Sequence, residues 1–88
     1  MLDSGMNVEP AGYNEAKRDI LDIIRTRGET TAMEIALITN RTTENSSMRL
    51  MNYHKQGLLS RRKIHGKERG YSISNRGLER LEWLESDL

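Results

Sequence analysis

The first regular pattern of apolar residues lies between residues 14 and 27. Its apolar side chains recur at the spacing of an amphipathic helix, at Ala16, Ile20, Ile23 and Ile24. Asn14 suits the N-cap position, and Gly28 is typical of a helix C-terminus. Residues 1–12 follow no period and contain the only proline, and we interpret them as a flexible N-terminal tail.

Two short helical patterns follow. Thr31 and Glu34 have the spacing of a capping box, so a second helix is predicted to begin at Thr31. Its apolar positions are Met33, Ile35, Ala36, Leu37 and Ile38. After a turn-forming run of Thr, Asn and Arg, a third helix is capped by Thr42 or Thr43 and ended by Gly57. This helix is unusually polar, and its weak helix formers indicate that tertiary contacts hold it in place.

The C-terminal part of the chain changes from alternation back to a helical spacing. Residues 58–64 are predicted as an exposed strand, 65–70 as a turn with two glycines, and 71–74 as a half-buried strand, together a β-hairpin. Ser74 or Asn75 can cap a last helix. The apolar stripe of that helix comprises Leu78, Leu81, Leu84 and Leu88. Residues 13–88 are therefore expected to form one small domain.

Composition favours a small binding module over an enzyme. With 88 residues, 35% of them hydrophobic, the chain does not easily enclose a catalytic site and a substrate as well. The chain has no Cys, so thiolate zinc sites and disulfides are excluded. His54 and His65 lack a third ligand at zinc-site spacing, and His54 is expected to be packed and hydrogen-bonded at the end of its helix. We predict no metal, cofactor, catalytic residue or evident small-molecule ligand.

No apolar run reaches the roughly 18 residues that a membrane-spanning helix needs, and no signal peptide is apparent. We therefore expect a cytoplasmic protein without a membrane partner. The net charge is only +1, yet residues 54–76 contain seven Lys and Arg against Glu68 alone, a local charge of +6. Such asymmetry is expected where one face of a protein meets a polyanion.

The order helix, helix, turn, helix, hairpin, helix resembles the winged helix-turn-helix of MarR- and ArsR-type transcription regulators, over about residues 14–86. The residues that carry the resemblance are Glu34-Ile35-Ala36, Leu50, Tyr53, Lys55-Gln56-Gly57-Leu58-Leu59, Arg61-Arg62 and Tyr71-Ser72-Ile73-Ser74-Asn75-Arg76-Gly77. Other positions depart from the family pattern. Thr39, Arg41 and Ser46 are polar where the family usually has apolar residues. Leu37 and Ile38 are apolar where the family usually has polar residues. The resemblance implies a mostly helical α+β fold with a three-helix core, a β-hairpin wing and a C-terminal helix.

The resemblance also implies binding of double-stranded DNA, with the third helix in the major groove and the wing on the backbone. Faces of the third helix can be sorted at about 3.6 residues per turn, which directs Leu50, Tyr53 and either Ser46 or Ser47 towards the core. Candidates for contact with the bases are Thr43, Glu44, Asn45, Ser47, Met48, Arg49 and Asn52. Candidates for contact with the phosphates are Arg61, Arg62, Lys63, His65, Lys67 and Arg69.

The last helix indicates a second surface, because Trp83 lies about 150° around the helix from the leucine stripe. We predict a homodimer whose interface draws on Leu78, Leu81, Trp83, Leu84 and Leu88. The leading hypothesis is a sequence-selective, dimeric transcription regulator. A winged-helix module for protein–protein interaction is the alternative from another class. A phage, viral or plasmid replication or excision factor would share the same DNA contacts.

Overall fold

The computed structural model describes residues 13–87, whose helices and strands follow the predicted order. Helix α1 is Tyr13–Arg27, α2 is Ala32–Thr39, α3 is Thr43–Lys55 and α4 is Asn75–Asp87. The antiparallel hairpin, which we call the wing, consists of β1 (Leu59–His65) and β2 (Glu68–Ile73). The predicted fold class, a mostly helical α+β winged helix-turn-helix, is confirmed. The predicted tail over residues 1–12 and Leu88 lie outside the described residues.

The predicted cap of α2 is confirmed. The Thr31 hydroxyl accepts a hydrogen bond from the Glu34 amide at 3.2 Å, and the Glu34 carboxylate accepts one from the Thr31 amide at 2.8 Å. This backbone hydrogen bond holds the pKa of Glu34 below its ordinary value, assisted by the nearby Arg27. Asn40 then ends the helix in the left-handed conformation, with φ of 58°, which Asn tolerates better than most residues.

Of the two residues predicted to cap α3, Thr42 occupies the cap. Its hydroxyl accepts a hydrogen bond from the Asn45 amide at 3.0 Å, and Thr43 is the first residue of the helix. The cap of α4 is likewise Ser74 and not Asn75, because Ser74 Oγ accepts from the Gly77 amide at 3.0 Å. Ser74 Oγ also donates to the Gly57 carbonyl at 2.6 Å, which ties the start of α4 to the end of α3.

The core collects apolar side chains from every helix and from the base of the wing. Its largest members are Ile20, Leu21, Ile24, Ile35, Leu50, Tyr53, Leu58, Leu59, Tyr71, Leu81 and Leu84. Leu21 was not part of the predicted stripe of α1, whereas Ile23 is only partly buried. Helix α1 packs against both α4 and β2, so its buried face is wider than one stripe.

The first strand of the wing is shifted by one residue from its prediction, and the second is longer than predicted. Residues 65–70 are not a six-residue turn, because only Gly66 and Lys67 form the turn and β2 begins at Glu68. The ladder pairs Arg61 with Tyr71 and Lys63 with Arg69, and becomes irregular between Lys63 and His65. Gly66 has φ of 58°, a conformation that glycine adopts without steric cost and that a tight hairpin turn requires.

Candidate nucleic-acid interface

Helix α3 presents a polar face to solvent because its opposite face is packed into the core. Ser46, Leu50 and Tyr53 are fully buried, which shows that Ser46 and not Ser47 points inward. Burial raises the pKa of the Tyr53 hydroxyl. Among the predicted base-contacting residues, Thr43, Glu44, Asn45, Met48 and Asn52 are exposed, and Ser47 and Arg49 are half-buried.

Two of these residues are held together before any partner binds. Arg49 Nε donates a hydrogen bond to Asn45 Oδ1 at 3.1 Å, one helical turn away. The Arg49 guanidinium also interacts with the Tyr53 hydroxyl, which opposes the effect of burial on the pKa of Tyr53. Restricting both side chains in advance lowers the conformational entropy that they lose on contact with a partner.

His54 closes the other end of α3. Its Nδ1 lies 2.9 Å from the Leu59 carbonyl, which can only accept, so Nδ1 carries the proton. The prediction that His54 is packed and hydrogen-bonded is confirmed. Within residues 13–87, no group of three or more His, Asp or Glu side chains is placed to hold a metal ion.

The wing places its cations on two different faces. Cross-strand partners share a face of the ladder, so Arg61, Lys63 and Arg69 lie on the same face as the buried Tyr71. Arg62 pairs with Gly70 on the reverse face. All six predicted phosphate-contacting residues are exposed, as their side chains extend beyond the packed base of the wing.

Arg62 differs from its neighbours in having a carboxylate partner. Its Nε lies 2.6 Å from Glu29 Oε2, and its Nη2 lies 2.8 Å from Glu29 Oε1. The hydrogen bonds to Glu29 raise the pKa of the Arg62 guanidinium above its ordinary value. Because Glu29 already occupies this donor pair, the remaining wing cations are better placed to meet phosphates.

Helix α3 and the wing border one groove of about 210 Å³. Thr43 and Ser47 of α3 lie on one side of it, and Lys67 and Arg69 of the wing lie on the other. The start of α2, Glu68 of the wing and Tyr71 complete the lining. The two regions that the sequence predicted as contact surfaces therefore lie next to each other on one side of the molecule.

A short bridge between the α1–α2 loop and the wing was not predicted from the sequence. The Thr30 amide donates to the Tyr71 carbonyl and the Tyr71 amide donates to the Thr30 carbonyl, each at 2.9 Å. Thr30 is fully buried. Two consecutive β-branched threonines between the helices were the available signal, since such residues favour extended backbone.

Helix α4 offers less partner surface than predicted. Leu81 and Leu84 are buried in the core of the chain itself, so both are removed from any partner-facing surface of this fold. Leu78 is 41% exposed and Trp83 is 52% exposed, but they lie about 140° apart around the helix. The Arg80 guanidinium lies over the Trp83 ring, 5.7 Å from its centre.

Helix α2 exposes apolar side chains that the sequence pattern did not assign to a face. Met33 is 56% exposed and Leu37 is 77% exposed, whereas Ile35 and Ala36 are buried. None of the described helices is both long enough and apolar enough to span a membrane.

Solved structures share this fold at low sequence identity. The YusO protein from Bacillus subtilis matches with a TM-score of 0.76 and 15% identity, over 81% of this chain and 52% of that one. The MarR family transcription regulator SP03579 matches with a TM-score of 0.72 and 22% identity, over 82% and 49%. The MepR–DNA complex from S. aureus matches with a TM-score of 0.72 and 19% identity, over 82% and 54%.

The chain thus has the winged-helix fold found in MarR family regulators, and it spans about half the length of these structures. No protein-family model and no curated protein matches the sequence.

Proposed function

We propose that this chain is the DNA-binding module of a small dimeric transcription regulator, selective for a sequence in double-stranded DNA. The observation that carries the proposal is the groove in which the polar residues of α3 face the cationic tip of the wing. The shared fold supports it, because one of the matching structures is a complex of a regulator with DNA. We also propose that the domain extends from residue 13 to residue 88.

In the proposed complex, α3 enters the major groove, which is about 12 Å wide and accepts one helix. Its exposed face would direct Asn45, Met48 and Asn52 at the edges of the bases. An Asn amide can pair with adenine through two hydrogen bonds, and the Met48 side chain can pack on a thymine methyl group. The Arg49 guanidinium, which Asn45 holds, would donate to guanine in this complex.

The wing would follow the sugar–phosphate backbone beside the groove. Arg61, Lys63, Lys67 and Arg69 are exposed and have no carboxylate partner among the described residues. Four phosphate contacts predict a slope of log affinity against log salt of about −4 per protomer. The wing would therefore supply affinity, and α3 would supply sequence preference.

The dimer and the compartment are further parts of the proposal. Paired half-sites are the usual target of helix-turn-helix dimers, and the exposed Trp83 is the side chain on α4 best suited to an interface. Because the proposed partner is DNA, the proposed compartment is the cytoplasm of a bacterial or archaeal cell. It assigns the chain no catalytic role.

Selection of bound sequences from a random pool of double-stranded DNA, at physiological salt, tests the proposal. We expect one enriched motif with two half-sites about 10 base pairs apart. Light scattering should find two protomers in the recovered complex, and W83A should lower that number to one. A salt slope near zero would contradict DNA binding, and binding without an enriched motif would contradict sequence selectivity.

A protein–protein interaction module is the second candidate, and the exposed apolar side chains of α2 favour it. Met33 and Leu37 are more exposed than a purely DNA-binding surface requires. Under this alternative the wing would meet an acidic protein surface. Unchanged DNA retention after charge reversal at Arg61 and Lys63 would favour it over the regulator.

A further inference from the structure

The wing is joined to the helical body by an ion pair between Arg62 and Glu29, which are 33 positions apart in the chain. Glu29 lies in the loop between α1 and α2, and its two carboxylate oxygens accept hydrogen bonds from Nε and Nη2 of Arg62, at 2.6 and 2.8 Å. Two parallel hydrogen bonds fix the relative orientation of both side chains, which a single contact does not. We call this ion pair the clamp.

Two neighbouring features show that the backbone is shaped around the clamp. Thr30, the next residue after Glu29, exchanges two hydrogen bonds of 2.9 Å with Tyr71 of β2. Gly70, the partner of Arg62 in the ladder, is buried. A Cβ atom at position 70 would meet Ile64 Cδ1 first, and would lie 2.6 Å from both Cγ and Cδ of Glu29. Glycine at position 70 therefore leaves room for the Ile64 and Glu29 side chains as they are placed.

The clamp lies on the reverse face of the wing from the other cations. Arg62 and Gly70 share one face of the ladder, whereas Arg61, Lys63 and Arg69 share the face of Tyr71. Of these residues, Arg69 and Tyr71 line the groove shared with α3. The ion pair on the reverse face therefore affects the angle at which the opposite face meets a partner.

We propose that Glu29 and Arg62 are positioning residues, which fix the angle of the wing relative to α3, and that Arg62 is not a phosphate ligand. The inference rests on the proposed DNA binding. An exposed ion pair adds little to folding stability, so the clamp acts on the orientation of the wing. Without it, the outer wing is held to the body by its own ladder and by the Thr30–Tyr71 bridge.

For the substitution E29Q, the clamp and simple electrostatics predict opposite changes in DNA affinity. Removing a negative charge beside a cationic wing should strengthen DNA binding if charge alone matters. If the clamp positions the wing, E29Q weakens binding about two- to tenfold, the cost of ordering a loosened segment on contact. The salt slope stays unchanged, because no phosphate contact is lost. E68Q, the matched control, removes a carboxylate that lines the groove but lies outside the clamp, and by charge alone it should strengthen binding and not weaken it.

Two further variants separate a positioning role from a phosphate contact. R62Q should weaken binding with an unchanged salt slope, whereas R61Q should make the slope shallower by about 1. The charge swap E29R with R62E rebuilds the ion pair in reverse, and its affinity should return to within about twofold of the parent chain. If affinity does not return in the charge-swapped variant, an ion pair between these two positions is not what positions the wing.

Hydrogen exchange of the Tyr71 amide in the free protein tests the clamp without DNA. We expect E29Q to accelerate exchange there and E68Q to leave it unchanged. Unchanged exchange in E29Q would overturn the inference, as would tighter DNA binding with a slope steeper by about 1, because Arg62 would then be a phosphate ligand masked by Glu29. If exchange accelerates but neither the parent chain nor any variant binds DNA, the proposed function fails while the clamp stands.

Discussion

Helix α3 and the wing lie side by side but differ in charge and in how they are held. Three buried side chains, Ser46, Leu50 and Tyr53, fix α3 from within. The wing has no buried residue between Ser60 and Arg69, so its outer half is held by the strand ladder and by Glu29. The exposed face of α3 carries amides, a thioether and charges of both signs, whereas the wing is strongly cationic.

This difference assigns separate tasks to the two regions. Contacts to phosphates depend on charge and little on sequence, whereas contacts to base edges depend on directed donors and acceptors. A rigidly packed helix suits the second task, because errors of position cost directional hydrogen bonds most. The wing suits the first. Each variant below acts on one region and is expected to spare the other.

Charge reversal of the wing should have the largest effect. With R61E and K63E combined, we expect the dissociation constant for DNA to rise on the order of a hundredfold at 0.15 M salt, because two phosphate contacts become repulsions. The salt slope should become shallower by about 2. Fluorescence anisotropy at several salt concentrations measures both. R18E with R25E changes the net charge equally on residues of α1 that do not line the groove, and comparable losses there would contradict a wing-specific contact.

Asn52 tests the task of α3. N52A should cost about 1–3 kcal/mol on the preferred sequence and leave binding to unrelated DNA unchanged, because only base contacts are lost. Alanine has a higher helix propensity than Asn, so the fold should not suffer. Competition between the two DNAs measures the difference. N75A, at the exposed first residue of α4, serves as control. Equal weakening on both DNAs would show that Asn52 contacts the backbone.

The cap of α3 tests how that helix is held. T42A removes the hydroxyl that accepts from the Asn45 amide, and should lower the free energy of unfolding by about 1 kcal/mol. T43A alters a neighbouring exposed threonine that is not the cap. It should change the free energy of unfolding by less than about 0.5 kcal/mol. Urea unfolding measures both. Equal effects would mean that the cap contributes nothing particular to α3.

The smallest expected effect is on acid stability, and it belongs to the cap of α2. Hydrogen bonding lowers the pKa of Glu34 in the folded state, so its stabilising contribution is complete above the unfolded-state value of about 4.3 and is lost as the pH falls through the lowered value. E34Q should therefore flatten the fall of Tm between pH 6 and pH 3. T42A should not, since a hydroxyl does not titrate there. An unaltered pH dependence in E34Q would contradict this assignment.

Features that follow from neighbouring residues were predicted well. The Thr31–Glu34 capping box, the end of α1 at Gly28 and the hairpin after Gly57 all depend on interactions within a few residues, which spacing reveals. Strand ends were predicted poorly. The ladder continues through exposed residues up to His65 and from Glu68, because backbone hydrogen bonding does not require burial and so leaves no alternation to detect.

The sequence alone determined the order of the elements, the cap of α2 and the accumulation of cations after α3, because each is written in local spacing or composition. The predicted cap Asn14 instead lies inside α1, and the caps of α3 and α4 were each left between two residues. Tertiary structure decided which similar residues have different environments. Arg61 and Arg62 are adjacent and chemically identical, yet only Arg62 meets Glu29, which lies 33 positions away. Leu78 and Leu81 share one stripe, yet only Leu81 is buried. Pairing between distant residues depends on how the elements pack, and local sequence does not encode that distance.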